Sequence, residues 1–256
     1  MPQDAIQTAI RPLANGDLRL NELLRVPLYH GTSSIFLEDI LDLGLGAKNP
    51  IEQLGVLELA REIRPLAHQY LADTATYKSR IGSFERMTDQ LAGHWNYQHG
   101  QTYLSACRGT AIRYASSNRY GSELLTNTLD FLQLLLDRDV PTVADSLYRA
   151  HRALFGLLDI SPAPVLIKSE GVPVRYLIDE DGGDAAGAIG WIDEMMAEYP
   201  DKLETMLQQT NFRLLEPISP GDVSASLINV TRFTPHSREF VLYELDQTSR
   251  QGGETP

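Results

Sequence analysis

The sequence predicts an α+β fold, with strands near both ends of the chain and helices between them. Three observations carry this reading. A short apolar run, Leu28-Tyr29, ends in His30-Gly31 and feeds a helical pattern. Residues 51–92 and 123–158 repeat apolar side chains at helical spacing. The last third, from Phe212 onward, returns to short apolar and alternating runs bounded by turns such as Ser219-Pro220-Gly221-Asp222. The 256 residues, 43% hydrophobic and 22% charged, suffice for one large domain or two small ones.

In chain order, residues 1–20 read as an irregular arm or short helix with a turn at Asn15-Gly16-Asp17. Residues 17–24 suit one or two helical turns, ended by Pro27. The His30 strand follows. In 35–45, Ile35, Phe36, Ile40, Leu41 and Leu43 form an apolar stripe, and Gly44 and Gly46 close the helix. Residues 51–92 split into three helices, with Pro65 as a break or kink and His68 as a structural histidine. A glycine-containing, aromatic-rich turn from Gly93 runs into a short strand ending near Tyr103, and a helix begins near Ala111. Residues 123–158 are mostly helical, with a restart at 139–142 and another helix over 143–158, and form an inserted layer. Residues 164–168 and 172–178 read as two strands in a hairpin or adjacent pair. The acidic loop 179–184 departs from a calcium loop, lacking the closing glutamate, and reads as solvated. Residues 189–208 are helical, and 212–215, 223–233 and 238–245 are strands. The tail 247–256 is polar and glycine-rich, with the composition of a disordered segment.

Several function classes are disfavoured. A net charge of −12 argues against a generally basic nucleic-acid-binding surface. The single Cys107 excludes an internal disulfide framework and suits a reducing compartment. No signal-like or membrane-length apolar run is present, so the expected location is cytoplasmic, without a membrane partner. His94, His99 and Cys107 fit no compact zinc spacing, and no metal is expected. His94, Trp95 and His99 read as turn packing ahead of an acceptor-lining role. Arg108, Arg113 and Arg119 suit a solvated helix face at least as well as a phosphate site.

Three separated pieces carry a resemblance. Leu28-Tyr29-His30-Gly31-Thr32, followed by Ile40-Leu41 and Gly44-Leu45, is the first. Tyr103-Leu104-Ser105 with Ala111-Ile112-Arg113-Tyr114-Ala115 is the second, and Arg238-Glu239-Phe240-Val241-Leu242-Tyr243 the third. Together they resemble the His-Tyr-Glu signature of ADP-ribosyltransferases of the diphtheria-toxin and poly(ADP-ribose) polymerase type, over about a quarter of the chain. The arginine-specific toxin class, with its Arg, Ser and Glu set, is a poorer match.

The resemblance implies an ADP-ribosyltransferase-like split β-sheet core with inserted helical layers. It would be a single catalytic domain over 1–246, with insertions near 47–92 and 123–160. Glu239, His30 and Tyr103 would be the catalytic set. His30, Gly31, Thr32, Tyr103, Ser105 and Tyr114 would bind NAD: His30 at the adenosine ribose, the Gly31 backbone at the nicotinamide amide, the two tyrosines around the nicotinamide ring. Glu239 would contact the nicotinamide ribose. Where the polymerases carry an amide-holding serine this chain has Ala111, so Thr110, Ser105 or the backbone would take its place.

NAD would be the co-substrate. Cleavage of its nicotinamide–ribose bond builds positive charge on the ribose, which a carboxylate stabilises. The implied function is mono-ADP-ribosyl transfer to a macromolecule, protein or RNA/DNA. By family analogy the setting is a toxin of a toxin–antitoxin or phage-defence system, with an antitoxin protein as a further partner. The alternatives are an NAD-dependent RNA 2′-phosphotransferase, an NAD glycohydrolase and a catalytically silent NAD or ADP-ribose binding module.

Overall fold

The computed structural model describes residues 5–12, 18–91, 97–233 and 238–245. Its strands are β1 (Ile6–Pro12), β2 (Leu18–Leu24), β3 (Leu28–Ser33), β4 (Tyr103–Ser105), β5 (Pro164–Ser169), β6 (Leu177–Asp179), β7 (Asn211–Leu214), β8 (Val223–Phe233) and β9 (Arg238–Glu244). β1 and β2 form a two-stranded hairpin. The other seven form one antiparallel sheet in the order β6-β7-β4-β3-β5-β8-β9, with β3 at its centre. The α+β expectation therefore holds.

The helices are α1 (Leu37–Leu43), α2 (Pro50–Gln53), α3 (Val56–Tyr70), α4 (Ala75–Thr88), α5 (Arg108–Ser117), α6 (Glu123–Asp137), α7 (Tyr148–Ala150), α8 (Arg152–Gly156), α9 (Ala186–Glu198) and α10 (Leu203–Met206). Side-chain alternation along the central strands gives the sheet two buried faces. Val165 and Ile167 of β5 join Leu28, Leu104 and Ala225 in a core completed by Ile189, Ile192 and Met195 of α9. Leu166, between them, faces the other way, against Ala111, Ile112 and Ala115 of α5. A separate core holds the helical layer together: Leu59, Ile63 and Ala67 of α3, Phe84 and Met87 of α4, and Leu125, Phe131 and Leu132 of α6. The two helical stretches at 47–92 and 123–160 thus bury their apolar stripes against each other.

Side-chain caps set where these helices start. The Thr74 hydroxyl accepts from the Tyr77 N–H at 3.1 Å, and the Ser122 hydroxyl from the Leu125 N–H at 3.1 Å. His68 ties α3 to α4 through the Tyr77 hydroxyl at 2.6 Å and Glu85 at 3.0 Å, a structural role as expected.

Four local expectations are corrected. Residues 18–24 are a strand and not helical turns; Leu18 and Leu20 alternate with Arg19 and Asn21, and Ala5 and Leu24 reach the core. The turn at Asn15-Gly16-Asp17 lies outside the described residues. Pro65 does not break α3, which runs on to Tyr70. It sits on the exposed side, where the carbonyl it leaves unpaired one turn earlier can meet water. Residues 143–158 are not one helix, because the chain leaves helical geometry at His151. Finally, 172–178 does not pair with β5, whose two edges are already taken by β3 and β8; its end, Leu177–Asp179, adds to β7 instead. The expected tail, 247–256, lies outside the described residues.

Candidate functional site

The site begins where the sheet opens. β3 and β4 share a register of one pair, Tyr29 with Ser105. Beyond it β3 continues along β5 and β4 along β7, so the two strands fork. His30 bridges the fork: its Nδ1 lies 2.9 Å from the main-chain carbonyl of Tyr103. A carbonyl only accepts, so Nδ1 carries the proton and donates. Burial lowers the His30 pKa from its ordinary value, against the opposing effect of the Tyr103 bond. The ring is thereby held neutral, with Nε2 as an acceptor.

A cavity of about 600 Å³ lies in this fork. It is lined by His30 and Thr32 of β3, Tyr103 and Ser105 of β4, and Ala111 and Tyr114 of α5. Residues from motifs more than seventy positions apart in the chain, His30 and Tyr103 with Tyr114, thus meet in one cleft. Tyr114 keeps 37% of its surface exposed, while its hydroxyl accepts from the Glu123 N–H at 3.3 Å. Desolvation of that phenol pushes its pKa up to about 12, with the carboxylate of Glu123 and the phenol of Tyr103 acting in the same direction. Thr32 and Ser105 are buried. The Ser105 hydroxyl accepts from the Cys107 N–H at 3.2 Å, closing the turn that launches α5.

Asn49 pins the opposite wall. Its side chain caps α2, accepting from the Ile51 N–H at 3.1 Å, and donates to the Gly100 carbonyl at 2.9 Å. This fixes the segment carrying His99, which also lines the cleft. Burial drops the His99 pKa to about 4, so its ring is neutral. His94 and Trp95 lie outside the described residues.

Two expected residues stand elsewhere. Gly31 is not on the cleft wall. A Cβ there would lie 2.1 Å from the Ala111 carbonyl oxygen, so its glycine permits a close approach of the α5 backbone. Glu239 is on β9, the far edge of the sheet, exposed and 3.4 Å from Arg232. Three strand spacings of about 4.8 Å separate β3 from β9, and Glu239 pairs with Arg232, well along β8 from the Ala225 level that aligns with His30. Those offsets put it on the order of 20 Å or more from His30. The carboxylates that do line the cleft are Glu123, Glu180 and Glu216.

The three arginines do not form one phosphate site. Arg108 pairs with Glu204 at 3.6 Å, Arg119 stacks over the Tyr120 ring at 4.4 Å, and Arg113 donates to the Thr110 hydroxyl at 3.2 Å. Arg113 lines a second, more open polar cavity of about 520 Å³ that shares the Tyr114 and Glu123 walls. Among the described residues no cluster of three or more His, Cys, Asp or Glu side chains is arranged to hold a metal ion.

Sequence reasoning missed Tyr29, Glu123, Glu180 and Asn211 as cleft residues. Asn211 is in register with Ser105, which is in register with Tyr29, so the three form one cross-strand row. Only the strand pairing discloses this. Glu180 belongs to the acidic loop read as solvated. Its carboxylate instead accepts from the Asn211 amide at 2.9 Å. No protein-family model, curated protein or solved structure matches the chain.

Proposed function

We propose that the fork cleft binds NAD and that the protein is a mono-ADP-ribosyltransferase, moving ADP-ribose to a macromolecular acceptor, protein or nucleic acid. The observation that carries this reading is the convergence of His30, Tyr103 and Tyr114 on one cleft. A neutral imidazole with a free acceptor nitrogen suits a ribose hydroxyl. Two tyrosines suit a flat ring, by offset stacking. A cavity of about 600 Å³ lies in the range of small-molecule sites. The chemistry to be served is departure of nicotinamide from an oxocarbenium-like ribose, which calls for a carboxylate inside the cleft.

The second reading, a catalytically silent NAD or ADP-ribose binding module, is favoured by one observation: Glu239 stands outside the cleft. One experiment separates the two. The purified protein is incubated with labelled NAD and a cell lysate, which is then fractionated into protein, RNA and DNA. Transfer labels one fraction. A glycohydrolase releases nicotinamide and labels none. A silent module binds NAD and does neither. Among the described residues no helix is long and apolar enough to cross a membrane.

A further inference from the structure

Resting on the NAD reading above, we infer that Glu180, held by Asn211, is the carboxylate that assists nicotinamide departure in this cleft. The position follows from the strand pairing. Tyr29, Ser105 and Asn211 stand in one row across β3, β4 and β7. Residues directly opposite on neighbouring strands project to the same face, so the Asn211 amide stands beside the Ser105 and Tyr29 side chains at the base of the fork. Glu180 follows β6 immediately, and the Asp179–Phe212 pair brings it alongside β7. There the Asn211 Nδ2–H donates to Glu180 Oε2 at 2.9 Å. Both side chains are half-buried and both line the cleft.

The other lining carboxylates are placed differently. Glu123 stands at the start of α6, on the wall shared with the second cavity, behind Tyr114. Burial shifts it toward the neutral acid, which stabilises a cation poorly. Glu216 is on the exposed loop beyond β7. Glu180 combines a cleft position, partial burial and an oriented partner, which lets a carboxylate act without reorganising at the moment of reaction.

The step balances as follows. The bond between C1′ of the ribose and the pyridinium nitrogen breaks, and its electron pair leaves with nicotinamide, which becomes neutral. The ribose carries the positive charge beside the Glu180 carboxylate. A lone pair of the acceptor, or of water, forms the new bond to C1′, and the proton that the acceptor loses passes to the carboxylate or to solvent. Glu180 is thus a catalytic residue and Asn211 a positioning residue.

The test measures nicotinamide release from NAD by the full chain, with NAD binding followed by calorimetry. Glu180→Gln is expected to bind NAD within about threefold of wild type and to lose about 10²-fold or more in kcat. Asn211→Leu removes the orienting donor; it is expected to lower kcat by about tenfold with little change in KM, and Asn211→Gln, which keeps an amide donor, to recover part of that loss. A wild-type kcat in Glu180→Gln overturns the assignment while leaving the NAD reading intact. If Glu180→Gln fails to fold, the Asn211 pair decides: a raised KM with unchanged kcat in Asn211→Leu overturns it. A wild-type protein that binds NAD and releases no nicotinamide overturns the transferase reading and this assignment together.

Discussion

His30 and Tyr103 are joined across the fork by a single hydrogen bond, imidazole Nδ1–H to main-chain carbonyl, at 2.9 Å. The two strands stop pairing after Tyr29 and Ser105, so a side chain holds them where the ladder ends. The bond does two things. It satisfies a carbonyl at the mouth of the cleft, and it fixes the tautomer that leaves Nε2 as an acceptor. His30→Leu keeps the bulk and removes both. Loss of that hydrogen bond should cost about 0.5–1.5 kcal/mol, or roughly 1–6 °C in Tm for a chain of this size. On the NAD reading, NAD should bind about tenfold more weakly through loss of the proposed ribose contact. Thermal melting and calorimetry on the same variant check both parts.

The two cleft histidines predict acid sensitivity. His30 and His99 both have pKa values lowered by burial, that of His99 to about 4. A lowered histidine pKa means that the unfolded chain binds the proton more readily than the folded one. The stability this contributes is intact above the unfolded value of about 6.5 and is lost as pH falls toward the folded value. The window for His99 is therefore about pH 6.5 to 4. A buried shift of that size would be worth about 3 kcal/mol, and contact with cleft water reduces it to about 1–2 kcal/mol. His99→Gln should flatten the urea midpoint between pH 6.5 and 4 by that amount. An unchanged slope would mean that cleft water already solvates the ring.

Glu239 gives a prediction opposite to the one its motif suggests. It lies at the sheet edge, paired with Arg232 at 3.4 Å, with both side chains largely exposed. An exposed ion pair contributes about 0–1 kcal/mol. Glu239→Gln should therefore shift Tm by no more than a few degrees and release nicotinamide at the wild-type rate. A 10²-fold loss in that variant would place β9 at the cleft.

The relation between sequence and site differs from residue to residue. His30 was legible because it ends a short apolar run, Tyr103 because it stands at a short strand after a glycine-containing, aromatic-rich turn, and Tyr114 because it rides the helix that follows that strand. The helical layer was legible from its periodicity, as α3 and α6 now share one core. The N-terminal hairpin was not, because Glu22 stands where the alternation of Leu18 and Leu20 calls for an apolar residue. Glu180 and Asn211 could not be read locally. Their meeting depends on β6 adding to β7, and on β7 taking the free edge of β4, pairings between segments tens of residues apart. Gly31 was singled out for close backbone approach, and in the structure helix α5 approaches it.

That approach makes two glycines a matched pair with opposite signs. At Gly31 an added Cβ would lie 2.1 Å from the Ala111 carbonyl oxygen and 3.0 Å from the Ala115 nitrogen, both backbone atoms of α5. Neither can swing aside, so the helix as a whole must move off β3. The same helix carries Ala111 and Tyr114 on the cleft wall. Gly31→Ala should therefore destabilise by about 3 kcal/mol or more and weaken NAD binding as well. Gly82, on the exposed face of α4, has no atom within 4 Å of an added Cβ. Gly82→Ala removes only the excess freedom of the unfolded chain and should stabilise by about 0.5–1 kcal/mol, with NAD binding unchanged. Denaturant unfolding of the two variants side by side checks the signs. A Gly31→Ala protein as stable as wild type would mean that α5 does not rest on β3 at this distance, and the cleft wall would have to be redrawn.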